Sequence, residues 1–352
     1  MKIIYLSRSM ANYSATIQQD VMDELARIAD VYFYGPGFPD YNINDDIYEI
    51  IAKSSFKPDI IVLGHTWLTD NERKNLDPHP ALALREISIP KFGIINKEYV
   101  SLGRKLEYYK DNYFDLVFSH HHEVDKYSKA TGIPFIFWPF GVNRQVFNAH
   151  NTYLDRGYDL AFSGRLQNPN EYAEQSDIRV RLQSELFYTI KDIPIKKRRK
   201  YSKYNIYWSG LPRRKFYIKT AYLLRKYRHL SLDDYQRLQF KTKIYINTLS
   251  PIGLVSTRYF ENMASKCLVL CEESDIYKKI FNTDYVVQFK PDLSDFYEKY
   301  SYYIQHESKR EKLVELAYEE VMAKHTWERR IAYMLDVISD FINNKRMKVY
   351  SN

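Results

Sequence analysis

Continuous apolar runs that alternate with amphipathic stretches predict an α/β chain of two doubly wound parallel-sheet domains. Three observations carry this reading. Runs such as Lys2–Leu6, Asp59–Leu63 and Pro90–Ile95 lack the polar alternation of a half-exposed strand, so both faces of their sheet are covered. The strand–helix pattern stops at a polar, unpatterned stretch, 148–156, and restarts after it. The chain has 352 residues, more than the roughly 250–300 at which single cores stop growing.

The elements follow in order. Lys2–Leu6 opens the first sheet. From Thr16 to Ala29, apolar residues at Ile17, Val21, Met22, Leu25 and Ile28 keep a helical period. Val31–Tyr34 is the next strand, closed by Gly35-Pro-Gly37. Asp59–Leu63 is a strand ending at Gly64, Pro80–Ile87 reads as helical, and Pro90–Ile95 and Phe114–Ser119 are strands. Glu123–Thr131 is a helix and Pro134–Trp138 a strand. In the second half, Tyr158–Phe162 runs into Ser163-Gly164-Arg165, Gln175–Lys191 reads as a helix, and Tyr204–Trp208 ends in Ser209-Gly210. Leu232–Lys241 is helical and Lys243–Asn247 a strand; a short helix from Ser256 to Ala264 leads into strands Cys267–Cys271 and Tyr285–Phe289. Three helices close the chain: Leu293–Gln305, Ser308–Lys324 and Trp327–Asn343. The expected division is 1–147, 148–330 and a terminal helix and tail, 331–352, that packs back on the first domain.

A hydrophobic content of 45% and a charged content of 27% place the chain in the ordinary soluble globular class. Its two cysteines, Cys267 and Cys271, stand four apart in one strand, too far to bridge, which excludes a disulfide framework and a cysteine-based metal site. The apolar run at the N-terminus is too short for a signal peptide, and no run reaches the roughly 20 apolar residues that span a bilayer. A reducing, cytoplasmic setting is expected, with peripheral attachment at the inner face of a membrane as its variant. The net charge of +8 is local: 191–228 holds 14 Lys/Arg and one Asp, net +13, so the remainder nets −5. Such a segment is either a solvated loop or a surface for an anionic membrane or a phosphorylated acceptor, with nucleic acid ranking below these.

Ligands of doubly wound sheets bind outside the carboxyl ends of the strands. That places Gly64-His65, Asn96-Lys-Glu98, Ser119-His120, Gly164-Arg165 and Gly210 on two such rims, expected to face one another across an interdomain cleft. The segment Ser256-Thr-Arg-Tyr-Phe-Glu261 adds Arg258 and Glu261, three apart and so on one helix face, beside the free amides and positive dipole end of a helix N-terminus. A diphosphate suits the arginine and the amides of Ser256 and Thr257; a ribose diol suits the carboxylate. The same spacing also describes an ordinary surface ion pair.

Three segments resemble GT-B glycosyltransferases, and within them the CgeB-like branch of the group-1, family-4 type. Trp138-Pro-Phe-Gly-Val-Asn-Arg-Gln-Val-Phe147 is similar to the crossover out of the N-terminal domain. Arg258-Tyr-Phe-Glu-Asn-Met-Ala264, followed by an apolar strand and Glu272-Glu273, is similar to the element that serves the donor. His325-Thr-Trp-Glu-Arg-Arg330 resembles the C-terminal signature. The resemblance implies a nucleotide-diphosphate sugar as donor substrate, a UDP-sugar first and a GDP-sugar second, with no cofactor. It gives Arg258 the diphosphate, Glu261 the ribose hydroxyls and Arg165 a phosphate. Gly253 stands where the broader family's Glu-x7-Glu pattern begins, a departure that fits the CgeB-like branch and leaves the sugar open.

Glycosyl transfer needs the charge of the departing diphosphate stabilised, by a metal or by fixed positive groups. The chain has no Asp-x-Asp clip. Asp45-Asp46 and Asp233-Asp234 read as a turn and a first-turn cap, and transfer is expected to be metal-independent. An inverting reaction needs an acceptor base, for which Glu98 ranks first and His65 second; in a retaining one these residues and His120-His-His122, which has no further ligand group at metal spacing, would simply bind sugars. The leading reading is transfer to a glycan, glycolipid or protein acceptor. A DNA-modifying, phage-type glycosyltransferase and a GT-B-shaped binding protein without turnover are the two others.

Overall fold

A computed structural model describes residues 1–10, 17–68, 75–149, 156–166, 178–212, 215–227, 230–250 and 252–350. Arg213, Arg214 and Arg228 of the basic segment, 150–155 of the polar link and 175–177 lie outside the described residues. The chain divides into two compact units: 1–140 together with 327–352, and 141–326. The sequence placed these divisions at 147/148 and 330/331. The shift has a packing reason, since Trp138, Phe140 and Trp327 lie ring against ring within the first unit.

The first unit runs β1 (Lys2–Leu6), α1 (Ile17–Ile28), β2 (Asp30–Tyr34), α2 (Ile47–Lys53), β3 (Ile60–Leu63), β4 (Lys91–Ile95), α3 (Leu102–Asp111), β5 (Leu116–Ser119), α4 (Val124–Thr131) and β6 (Phe135–Phe137). Its six strands are all parallel, in the order β2-β1-β3-β4-β5-β6. β3, β4 and β5 are buried along their whole length, which is what their unbroken apolar runs require. Asp46 caps α2 through a reciprocal capping box with Glu49, while the adjacent Asp45 is buried and accepts from Tyr34 Oη at 2.5 Å and from Lys53.

The second unit runs β7 (Tyr158–Arg165), α5 (Ile178–Leu186), β8 (Phe187–Ile190), β9 (Ile193–Lys197), β10 (Ile206–Leu211), α6 (Lys215–Leu223), α7 (Leu232–Phe240), β11 (Thr242–Asn247), α8 (Thr257–Ala264), β12 (Leu268–Glu272), β13 (Val287–Phe289), α9 (Phe296–Gln305) and α10 (Glu307–Lys324). Five strands form a parallel sheet in the order β10-β7-β11-β12-β13, and β8-β9 is a separate antiparallel hairpin. The last helix, α11 (Trp327–Tyr350), belongs to the first unit, where it meets α1 and sets Phe341 edge-on to Phe92 at 6.0 Å.

Two predicted helices take another form. Across 80–87 there are two 3-10 turns, separated by Ala83 at φ 54°. Leu82 and Leu84 are both buried, and residues two apart cannot share one face of an α-helix. The helix expected to reach Lys191 ends at Leu186. Phe187-Tyr-Thr-Ile190 are aromatic and β-branched, and Lys191 and Asp192, at φ 50° and 63°, make the two-residue turn of a hairpin. Helices α2, α3 and α6 carried no prediction. Among the described residues, no helix is long and apolar enough to cross a membrane.

Candidate active site

In the second unit, the carboxyl ends of β7, β11 and β12 converge on two arginines. Arg258, in the first turn of α8, reaches back to donate from Nη1 to the carbonyl of Ser163. Gly164 lies beneath it, at φ 154°, where a Cβ would stand 2.6 Å from Nη1. The Ser163 hydroxyl bonds the Tyr245 hydroxyl at 2.6 Å, fixing the end of β7 from the β11 side. Arg165 follows with its side chain exposed. Ser256 occupies the N-cap of α8 without a side-chain cap bond, and Thr257 opens the helix partly buried.

Glu261 points elsewhere than Arg258. Its Oε2 accepts from Tyr235 Oη of α7 at 2.7 Å. Burial raises the Glu261 carboxyl despite the Tyr235 donor and the nearby Arg258 charge; burial and the Glu261 charge hold the Tyr235 phenol well above its usual range. The sequence spacing suggested one shared diphosphate–ribose face. The structure brings Arg258 to Gly164 and ties Glu261 to α7.

Arg179, on α5, had no sequence signal. It is buried, donating from Nε to Thr248 Oγ1 at 2.6 Å and from Nη1 to the Arg165 carbonyl at 2.7 Å. It therefore clamps the last residue of β7 to the loop after β11. Glu272, at the end of β12, accepts from the Leu249 amide at 2.8 Å through Oε1, while its buried Oε2 has no partner. Burial lifts its carboxyl to about 7, with Arg179 and backbone amides pulling the other way. Its place directly after an apolar strand was the one available signal. Gly210 pairs with Gly164 in the β10–β7 register but is enclosed, since a Cβ there would stand 2.5 Å from Trp208 Nε1 and 3.1 Å from Gln183 Oε1.

The first unit places Glu98 and His65 at the carboxyl ends of β4 and β3, and both are buried, at 3% and 5% exposure. His65 Nε2 lies 2.6 Å from His120 Nε2. His120 Nδ1 lies 2.7 Å from the Trp138 carbonyl, so Nδ1 carries the proton and the neutral ring accepts through Nε2. His65 must then donate from Nε2, which leaves its buried Nδ1 as an acceptor without a partner. Burial drives both rings down, His120 to about 3, and His120 depresses His65 further. His121 and His122 turn away from this pair and stack on each other at 4.6 Å. Glu98 Oε1 accepts from Ser119 Oγ at 2.9 Å, and its Oε2 has no partner in the interior. Burial raises the Glu98 carboxyl against the Ser119 bond and the His121 charge.

Residues 193–336 match the family model described as glycosyl transferase-like. No curated protein matches the chain. Among solved structures, it resembles Anabaena HepE in complex with UDP-glucose (10% identity, TM-score 0.60, 97% of this chain and 100% of the other). It also resembles sucrose-phosphate synthase from Thermosynechococcus elongatus (10% identity, TM-score 0.60, 98% and 100%). A third is a T4 phage BGT variant in complex with UDP-glucose (12% identity, TM-score 0.55, 97% and 99%). Both units have the parallel α/β sheets of the GT-B fold. That architecture gives the chain the GT-B fold, and the family match makes its 193–336 segment glycosyl transferase-like.

Proposed function

We propose that the protein transfers a sugar from a UDP-sugar to a hydroxyl of a glycan, glycolipid or protein acceptor. The observation that carries the donor site is Arg258 anchored over Gly164 at the carboxyl end of β7. One N–H of its guanidinium is spent on Ser163, which orients the remaining N–H groups for a diphosphate. The α8 amides at Ser256 and Thr257 and the exposed Arg165 add positive potential. Glu261, held by Tyr235, takes the ribose hydroxyls. The UDP complexes of HepE and the UDP-glucose complex of the phage protein support uridine as the base.

In the reaction the acceptor oxygen bonds the anomeric carbon, the bond from that carbon to the phosphate oxygen breaks, and UDP leaves with the electron pair. We assign the acceptor proton to Glu98 through its unpartnered Oε2, with His65 Nδ1 as the second candidate. Arg258, Arg165 and the α8 N-terminus stabilise the leaving diphosphate, so transfer proceeds without a metal. Loss of activity in EDTA with recovery in magnesium would overturn that last point.

Ligand binding raises apparent melting temperature by mass action. A thermal-shift series with UDP-, GDP-, ADP- and CMP-linked sugars should respond to UDP-sugars, and Arg258→Ala and Glu261→Ala should each abolish the response. Retention of the shift in both variants would place the donor elsewhere.

A further inference from the structure

We propose that α6 and the β8–β9 hairpin form a docking surface for an anionic lipid bilayer. Phe216 and Leu223, one heptad apart on α6, are 82% and 83% exposed, with Lys219 and Thr220 between them on the same face. Ala221 faces inward and is buried, so the helix presents its large apolar side chains to the outside. Leu224 extends the stripe. The hairpin adds Ile190, 61% exposed, and Ile195. The two elements touch: Lys191 Nζ lies 5.2 Å from the Tyr217 ring, and Lys226 Nζ donates to the Ile195 carbonyl at 3.4 Å.

Charge says what covers this face. Exposed Lys191 and Lys196 of the hairpin and Lys219 of α6 flank it, within the segment that nets +13 in a chain of +8. Beside α6, Arg225 and Lys226 join Arg237 and Lys241 in lining a cavity of about 420 Å³. Apolar side chains flanked by cations match the interface of an anionic leaflet: the apolar groups enter between headgroups while the lysines stay at phosphate level. A nucleic acid would use the cations and could stack a base on Phe216, but the aliphatic Leu223, Leu224, Ile190 and Ile195 would stay in water, whereas a bilayer buries them all. The surface lies outside the proposed donor site and stands whatever the donor proves to be.

The test is co-sedimentation of the full chain with phosphatidylcholine vesicles, with and without phosphatidylglycerol. Binding to the anionic vesicles alone, weakening as salt rises, is expected. Phe216→Ser with Leu223→Ser should reduce it roughly tenfold or more, because apolar burial is lost. Lys196→Ser with Lys219→Ser should reduce it chiefly at low salt. Melting temperature should stay at the parent value in both double variants, since the altered side chains are exposed. Binding to neither vesicle, equal binding to both, or unchanged binding by the Phe216/Leu223 double variant would overturn the proposal. So would duplex DNA binding that outcompetes the vesicles.

Discussion

The Arg258 guanidinium occupies the space that a side chain at residue 164 would fill: a Cβ on Gly164 would stand 2.6 Å from Nη1. The contact joins α8 to the end of β7, 94 positions apart in sequence. Gly164→Ala should therefore displace the arginine and strain a backbone at φ 154°. The expected cost is about 1–3 kcal/mol in stability, with loss of the thermal response to donor. Calorimetry with and without UDP-sugar reads both; a full donor response in the variant would refute the role given to Arg258.

Tyr235→Phe removes the hydroxyl that donates to Glu261 and leaves a partly buried carboxylate with one partner fewer. A loss of about 1–3 kcal/mol in stability is expected, along with a higher donor KM at nearly constant kcat. An unchanged KM would mean that Glu261 needs no such orientation to serve the ribose.

The buried His65–His120 pair gives stability a pH dependence of definite sign. In the unfolded chain both rings take protons below about 6.5; in the folded chain His120 does so only at about 3, and His65 is also held well down. The unfolded state thus binds more protons between those values, and stability falls as pH falls, by about 1.4 kcal/mol per pH unit for each ring. His120→Asn keeps a donor for the Trp138 carbonyl and removes one of the two titrations. Urea melts from pH 7 to 4.5 should show a shallower decline in the variant than in the parent.

Glu272 works in the opposite direction. Its carboxyl rises to about 7 in the folded state, against about 4.3 in an unfolded chain, so its contribution is fully present at low pH and is lost as pH rises through 7. Glu272→Gln keeps an oxygen for the Leu249 amide and cannot ionise. The variant should gain on the parent as pH rises from 5 to 8, by a few kcal/mol at most. Because the histidine pair and Glu272 oppose one another below 6.5, the informative quantity is the difference between variant and parent at each pH.

Much of the architecture was legible because parallel strands buried on both faces leave unbroken apolar runs, as at Ile60–Leu63 and 268–271. The turn at Lys191-Asp192 was not, since neither residue advertises positive φ as Asn-Gly does. Arg258 and Gly164 could be named separately from strand ends and helix spacing, but their contact is tertiary. Arg179 and Tyr235 were invisible for the same reason: each reaches the region from a different helix, at no fixed spacing from its partners. The burial of Glu98 and His65 was equally hidden, because polar residues at strand ends ordinarily signal exposure.

α11 has a consequence for biosynthesis. Ile331, Met334 and Ile338 are fully buried in the first unit, and Phe341 packs on Phe92 of β4. The ribosome therefore delivers the six strands of the first unit long before the helix that completes their cover, with all of 141–326 made in between. The nascent sheet must wait with an apolar face bare, a state that favours chaperone capture and aggregation. Premature termination anywhere after 140 would damage the half of the molecule that had already been translated.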